Sequence, residues 1–271
     1  MFGGRPQRDC GTGSDSMPWR RMAMRRTVLA LVCFLLACNS ASSATIEVLS
    51  AGAVEPGIVA AAQSFRQQTG DDVKIRFATA PALRQRIGAG EAADVVIAPP
   101  AVIEELAKAG KVDSQARVPV GRVGVGVAVR EGAPVPDISN ADAFKRMVLE
   151  AESLVYNRAS TGIYLEGLLA RLGVADQVQT RTTRYPDGAA VMEHLIKGTG
   201  REVGFGAATE IMLYRDKGLR LVGMLPAELQ NYTSYAAAPV TGAANAEGAR
   251  AFLRFLGSPD ARSLFIASGI D

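Results

Sequence analysis

Three short stretches combine small residues with hydroxyls where an apolar run gives way to an amphipathic one. They are Leu49-Ser50-Ala51-Gly52-Ala53, Phe77-Ala78-Thr79-Ala80-Pro81 and Asn157-Arg158-Ala159-Ser160-Thr161-Gly162. Each reads as a strand-to-helix turn. The first N–H groups of a helix have no intrahelical acceptor, and the helix dipole there favours negative charge. Small side chains let a ligand approach that backbone closely, and in open α/β sheets ligands sit beyond the carboxyl ends of strands. The chemistry these turns could do is therefore capture of a small anion by peptide amides. Arg158 adds a guanidinium of the kind that grips carboxylates in a bidentate way; a solvated loop charge fits it equally well. A proton-transfer role would fall to Tyr164, Ser160, Thr161 or a carboxylate such as Glu210, and spacing singles out none of them.

Other chemistries find little support. His194 stands alone in Val191-Met-Glu-His-Leu-Ile196, and one histidine makes no histidine-rich metal site. Gly121-Arg-Val-Gly-Val-Gly126 lacks nucleotide-fingerprint spacing and falls inside a strand. There is no P-loop, nucleophile elbow or zinc motif, so neither a metal nor a cofactor is expected. Tyr156, Tyr232 and Tyr235 could line a cleft or simply pack.

The elements that must position these turns alternate from Thr45 onward. Apolar runs at Ile46–Leu49, Val73–Phe77, Asp94–Ala98, Val123–Val129, Ser153–Tyr156, Glu202–Phe205, Leu219–Val222 and Tyr235–Val240 read as strands. Helical periodicity marks the segment opened by Pro56 and closed by Gly70, then Ala82–Ala89, Ala101–Ala109, Asp142–Glu150 and Thr161–Leu172. It returns at Ala189–Lys197, Ala208–Asp216, Ala246–Leu256 and Pro259–Ser268. The β-α-β-α rhythm predicts parallel sheets covered by helices on both faces. There are too many strands for one tidy sheet, which favours two lobes.

Residues 1–44 carry six arginines and two aspartates; without them the formal charge of +3 becomes −1. The basic pI of 8.8 belongs to this leader, and no field for nucleic acid remains. Arg20–Arg26, the apolar run Thr27–Ala37 and Ser42-Ser43-Ala44 read as an export signal with a small-x-small cleavage site. Leu35-Leu36-Ala37-Cys38 resembles a lipoprotein box, a second route that would lipidate Cys38. Cys10, Cys33 and Cys38 are the three cysteines, so the mature chain would hold no disulfide or thiol nucleophile.

Taken in order, Ile46–Ala53, Ala78–Ile87, Gly88-Ala-Gly-Glu-Ala-Ala-Asp-Val-Val96, Thr161-Gly-Ile-Tyr164 and Val203-Gly-Phe-Gly206 resemble the molybdate-binding periplasmic components of ABC importers. The resemblance spans the mature chain and implies a type II periplasmic-binding-protein fold, two α/β lobes with the ligand between them. Those binders hold their oxyanion with serine hydroxyls, backbone amides and a tyrosine; the corresponding positions here are Ala53, Ala80 or Pro81, and Ala207. Each hydrogen bond to an anion contributes about 1.5–3 kcal/mol, so three missing donors argue against molybdate. Gly132-Ala-Pro-Val-Pro-Asp-Ile-Ser139, Asp142-Ala-Phe-Lys145 and Ala78-Thr-Ala-Pro81 are similar to a divergent branch of the same family, that of aconitate isomerase, which moves a double bond in a tricarboxylate by proton transfer.

The expectation is a periplasmic, monomeric protein with residues 1–44 as signal peptide. Lobe one would be 45–122 plus 233–271 and lobe two 123–232, with crossovers at Val123–Val129 and Pro226–Tyr235. The ligand-binding set expected is Ser50, Ala51, Gly52, Ala53, Thr79, Ala80, Pro81, Arg158, Ser160, Thr161, Gly162, Tyr164 and Ala207. An ABC permease is the expected partner of a transport component, the ligand being an organic carboxylate or a molybdate-like oxyanion; an exported isomerase of the aconitate type is the alternative.

Overall fold

The computed structural model describes residues 1–4 and 45–271. The chain divides into Met1–Ser42 and Ser43–Asp271, and the fold is that of the second unit. The readings of an export signal and of Cys38 fall outside the described residues.

Among the described residues the strands are β1 (Thr45–Ala51), β2 (Asp72–Ala78), β3 (Val95–Ala98), β4 (Val118–Arg130), β5 (Ser153–Asn157), β6 (Thr182–Tyr185), β7 (Glu202–Ala207), β8 (Leu219–Met224) and β9 (Tyr232–Pro239). The helices are α1 (Glu55–Thr69), α2 (Ala80–Gly88), α3 (Pro100–Lys108), α4 (Ala141–Glu150), α5 (Ser160–Arg171), α6 (Ala175–Val178), α7 (Gly188–Lys197), α8 (Ala208–Met212), α9 (Ala246–Leu256) and α10 (Pro259–Ala267). Strand order is β2-β1-β3-β9-β4-β7-β5-β6, with β8 also paired to β4. Pairing is parallel within β2-β1-β3 and within β7-β5-β6. It is antiparallel where β9 and β4 join those groups. The result is a mixed α/β architecture of the type II periplasmic-binding-protein kind.

Local sequence explains most boundaries. In α1, Ile58, Ala61, Ala62 and Phe65 are buried on one stripe; Pro56 lies in the first turn, and Gly70 ends the helix in the left-handed region at φ 82°. All four residues of β3 are buried, as expected of a strand covered on both faces. In α9, Asn245 caps the start by accepting from the Gly248 N–H at 2.9 Å, and donates its own amide to Thr45 O at 3.1 Å. Asp94, nearly fully buried, accepts from the N–H groups of Glu47 and Asn245, both at 2.8 Å. The C-terminal segment is thereby stitched to the first strand.

The buried side chains fall into separate cores. One gathers residues 46–123 with 235–270 and Ala207, including Phe65 edge-on to Phe252 at 5.3 Å. Two others draw on residues 125–229, including Phe144 against Phe205 at 6.0 Å. The first group is called half one and the second half two. β4 runs through both: its residues 118–124 pair with β9, and 125–130 with β7 and β8. At the changeover Gln230 accepts from the Val125 N–H at 2.9 Å and returns its amide to Val125 O at 3.1 Å.

Several elements differ from the sequence reading, among them the short α6, which was not expected. β4 begins five residues before Val123, because Pro119 is accommodated at a register shift between Pro119 and Gly121. β6 was not expected: Thr-Thr-Arg-Tyr is a short edge strand with no fully buried residue, so no apolar pattern marks it. The helix expected over Ala208–Asp216 stops at Met212, and Arg215–Lys217 form a 3-10 turn closed by left-handed Gly218.

Candidate functional site

Five helices begin around one cleft of about 360 Å³. From half one come the 3-10 turn Gly52–Val54 leading into α1, and Thr79 and Ala80 at the start of α2. From half two come Ala159–Thr161 at the start of α5, Asp187–Ala189 at the start of α7, and Ala207 and Glu210 at α8. The N-cap residues of α1, α2, α5 and α8 make no side-chain cap, and at α2 and α5 this leaves first-turn amides for a ligand. At α7 the cap is Asp187, whose carboxylate accepts from the Ala190 N–H at 2.9 Å. At α5 the buried Asn157 takes over that role, accepting from the N–H groups of Ala159 at 3.0 Å and Gly162 at 3.2 Å.

The structure brings together Ala51, Gly52, Ala53, Thr79, Ala80, Ser160, Thr161 and Ala207 as lining of this cleft. Ala53, Ala80 and Ala207 bring no side-chain hydrogen-bond donor to that lining. The other five candidates lie outside the lining. Ser50 is fully buried, its hydroxyl bonded to Ala51 O at 3.2 Å. Pro81 is exposed in the first turn of α2. Arg158 is exposed, and its backbone N–H donates to Tyr185 O at 2.8 Å. Gly162 is buried beneath the Asn157 carbonyl so closely that a Cβ would collide with it. Tyr164 turns away to donate to Leu229 O at 2.7 Å, with Arg171 5.4 Å over its ring. His194 bonds Tyr185 through Nδ1 at 2.8 Å.

The cleft's titratable groups are Glu55, Arg86, Asp187, Glu210, Tyr214 and Tyr235. Burial pushes the Glu210 carboxyl up to about 7; the Ala207 amide opposes this, and the negative charges of Glu55 and Asp187 reinforce it. Burial also raises Glu55, against the pull of Lys217. Burial and then the nearby Glu210 raise the Tyr235 phenol, against a hydrogen bond from Thr233. Tyr214 is raised by burial and by four surrounding carboxylates. Arg86 is the basic residue of the lining, and its Nε is ion-paired with Glu91 at 3.8 Å. Arg84 is turned to the surface and bonds Glu105 at 3.1 Å. The Thr209 hydroxyl donates to Ala53 O, linking α8 to the turn after β1.

Sequence reasoning named Glu210 and Tyr235 but passed over Glu55, Arg86, Asp187 and Tyr214. Asp187 had a readable signal, an aspartate directly before Gly188-Ala-Ala and thus a helix cap. Glu55 and Arg86 had none, because what makes them cleft residues is the meeting of distant segments.

An α/β fold with helix N-termini gathered around one cleft suits the binding of a small solute. The match to the family model of bacterial extracellular solute-binding proteins runs over residues 46–271, and the chain belongs to that family. It is 33% identical over 260 residues to an aconitate isomerase from Pseudomonas sp, covering 92% of this chain and 97% of that one. Among solved structures it resembles the Azotobacter vinelandii periplasmic molybdate-binding protein, with a TM-score of 0.69 and 18% identity over 83% of this chain and 98% of that chain. It also resembles the sulfate-binding protein SubI from Mycobacterium tuberculosis H37Rv, with a TM-score of 0.68 and 20% identity over 84% and 86% of the two chains.

Proposed function

We propose that the cleft takes a small unsaturated polycarboxylate and shifts its double bond by proton transfer, as an isomerase of the aconitate type. The observation that carries this reading is the placement of the Glu210 carboxyl in the cleft, against Gly52 and Gly188, where burial pushes it up to about 7. An acid/base group works best when its pKa is close to the working pH. Ionised Glu210 takes a proton from a saturated carbon next to the double bond, breaking the C–H bond and leaving an allylic carbanion delocalised into a substrate carboxylate. Protonated Glu210 then returns the proton at the far end of the allyl system. The C–H bond lost is replaced by another, and no redox partner is required. First-turn amides of α2 and α5 stabilise the charge that develops on the carboxylate oxygens. Arg86 pairs with a remote carboxylate of the substrate.

Ala53, Ala80 and Ala207 offer no side-chain donor to a tetrahedral oxyanion. Incubation of the protein with cis- or trans-aconitate, followed by proton NMR in D2O, tests the reaction. Interconversion with deuterium uptake is expected; its absence at micromolar protein removes the enzymatic reading. Molybdate binding at nanomolar concentration would remove the carboxylate preference.

The family membership favours a second reading, a periplasmic binding component that delivers a small carboxylate to an ABC permease without turning it over. Under either reading we place lobe one at 45–122 plus 233–271 and lobe two at 123–232, with closure about the β4–β9 crossing. The separate cores and the change of partner along β4 support that division, and ligand contacts from both sides would favour the closed form.

A further inference from the structure

Two glycines far apart in the chain meet the same carboxyl. Gly52 opens the 3-10 turn after β1, and Gly188 is the first residue of α7. Neither has a positive φ, so the backbone at both sites admits any residue. The reason for glycine is therefore space. A Cβ added at Gly52 would lie 2.8 Å from Glu210 Oε1, and the same carboxyl's Cδ at 3.9 Å is the other neighbour within 4 Å. A Cβ at Gly188 would meet Oε2 closely, Cδ at 2.8 Å and Oε1 at 3.1 Å. The nearest atoms at both sites belong to the free end of one flexible side chain, so a methyl at either site would displace the carboxyl and leave the backbone in place.

We propose that Gly52 and Gly188 are positioning residues that seat the Glu210 carboxyl between the turn after β1 and the start of α7. The seat takes one glycine from each half, so it is complete only when the halves are together. Glu55 on α1, Asp187 before α7, Tyr214 after α8 and Tyr235 on β9 face the seated group, and Arg86 on α2 lines the same cleft. Moving the carboxyl toward solvent takes it out of that enclosure and restores its hydration. The importance of the seat rests on the reading of Glu210 as the proton-transfer group; its existence can be read without any turnover.

The test uses full-length protein labelled with 13C at glutamate carboxyls, the Glu210 resonance being assigned by its loss in Glu210→Gln. Gly188→Ala and Gly52→Ala are expected to unfold cooperatively and to show Glu210 titrating about one unit or more lower than in the parent. Gly167→Ala, whose added Cβ has only Arg171 within reach at 3.6 Å, is expected to leave the midpoint unchanged. Midpoints within about 0.3 unit of the parent in both folded seat variants would overturn the proposal. If Gly188→Ala does not fold, Gly52→Ala decides alone; failure of both to fold also overturns it, because the argument is that only the carboxyl has to move. A lowered midpoint in a protein that leaves aconitate untouched would keep the seat and discard the catalytic reading.

Discussion

The turn after β1 and the turn after β7 are built alike and equipped differently. Each runs from a buried strand through small residues into a helix that begins at the cleft, Ala51-Gly52-Ala53 in the first and Ala207-Ala208-Thr209-Glu210 in the second. Ala53 and Ala207 both present methyl groups, and neither helix is capped by a side chain at its N-cap. Yet the β1 turn leads to Glu55, whose burial-raised carboxyl is eased by Lys217, whereas the β7 turn carries Glu210, pushed up to about 7, into the cleft and sends the Thr209 hydroxyl across to Ala53. Amides repeated around the cleft can hold an anion of many shapes. One carboxyl on one turn, held in an enclosed position, is what could make that anion react. The difference separates the part of the site that binds from the part that does chemistry.

The largest effect should come from removing that one group. Glu210→Gln is expected to lower isomerisation by about 10²–10⁴-fold while keeping carboxylate affinity, and in the parent kcat/KM should rise with pH through about 7 as Glu210 ionises. Equal loss of affinity and rate would place Glu210 with the binding amides instead. Stability should move the opposite way. The folded state holds Glu210 protonated to about 7, whereas an unfolded glutamate titrates at about 4.3. The folded form therefore binds more protons between those values, and stability falls as pH rises through that window. Glu210→Gln should flatten the slope and be more stable than the parent at pH 8 by about 1–3 kcal/mol, in keeping with the shift. Denaturant melts at several pH values measure this directly.

A smaller effect is expected at Arg86, which sharpens the comparison from the binding side. Arg86→Gln should weaken a tricarboxylate by about 10–100-fold, the loss of one charge-assisted contact, and barely alter a monocarboxylate. Calorimetric titration of both ligands decides it: an equal change in the two, or no change in either, means that Arg86 anchors nothing.

The sequence reveals the scaffold better than the site, for physical reasons. Pro56 and Gly70 mark both ends of α1, and the span Ala246–Leu256 was legible to the residue because Asn245 caps it and its apolar face is continuous. Pro119 and Gly121 hid the first part of β4, since an irregularity tolerated in the pairing looks like a break in the pattern. The small-residue turns announced the cleft, because close approach to backbone demands such residues. Side-chain direction is another matter. Arg84 and Arg86 are two apart on α2 and so point to different sides; nothing local tells which one meets the cleft. Glu55, Asp187 and Glu210 stand at the starts of three different helices, and their mutual repulsion exists only once the chain is folded.

Tyr164 offers the smallest expected effect and the cleanest contrast with Glu210. Both are acid/base candidates by residue type, and both sit near the start of a helix that borders the cleft. The α5 helix turns the Tyr164 ring back into half two, where the hydroxyl donates to the Leu229 carbonyl at 2.7 Å and the ring packs against that half's core. Tyr164→Phe removes one donor from a buried carbonyl and nothing from the cleft. It should cost about 1 kcal/mol of stability in urea melts and leave ligand affinity and turnover within about twofold, less than 0.5 kcal/mol. A tenfold loss of either would mean that the phenol reaches the ligand, and the division between a binding backbone and a single reactive carboxyl would have to be redrawn around two groups.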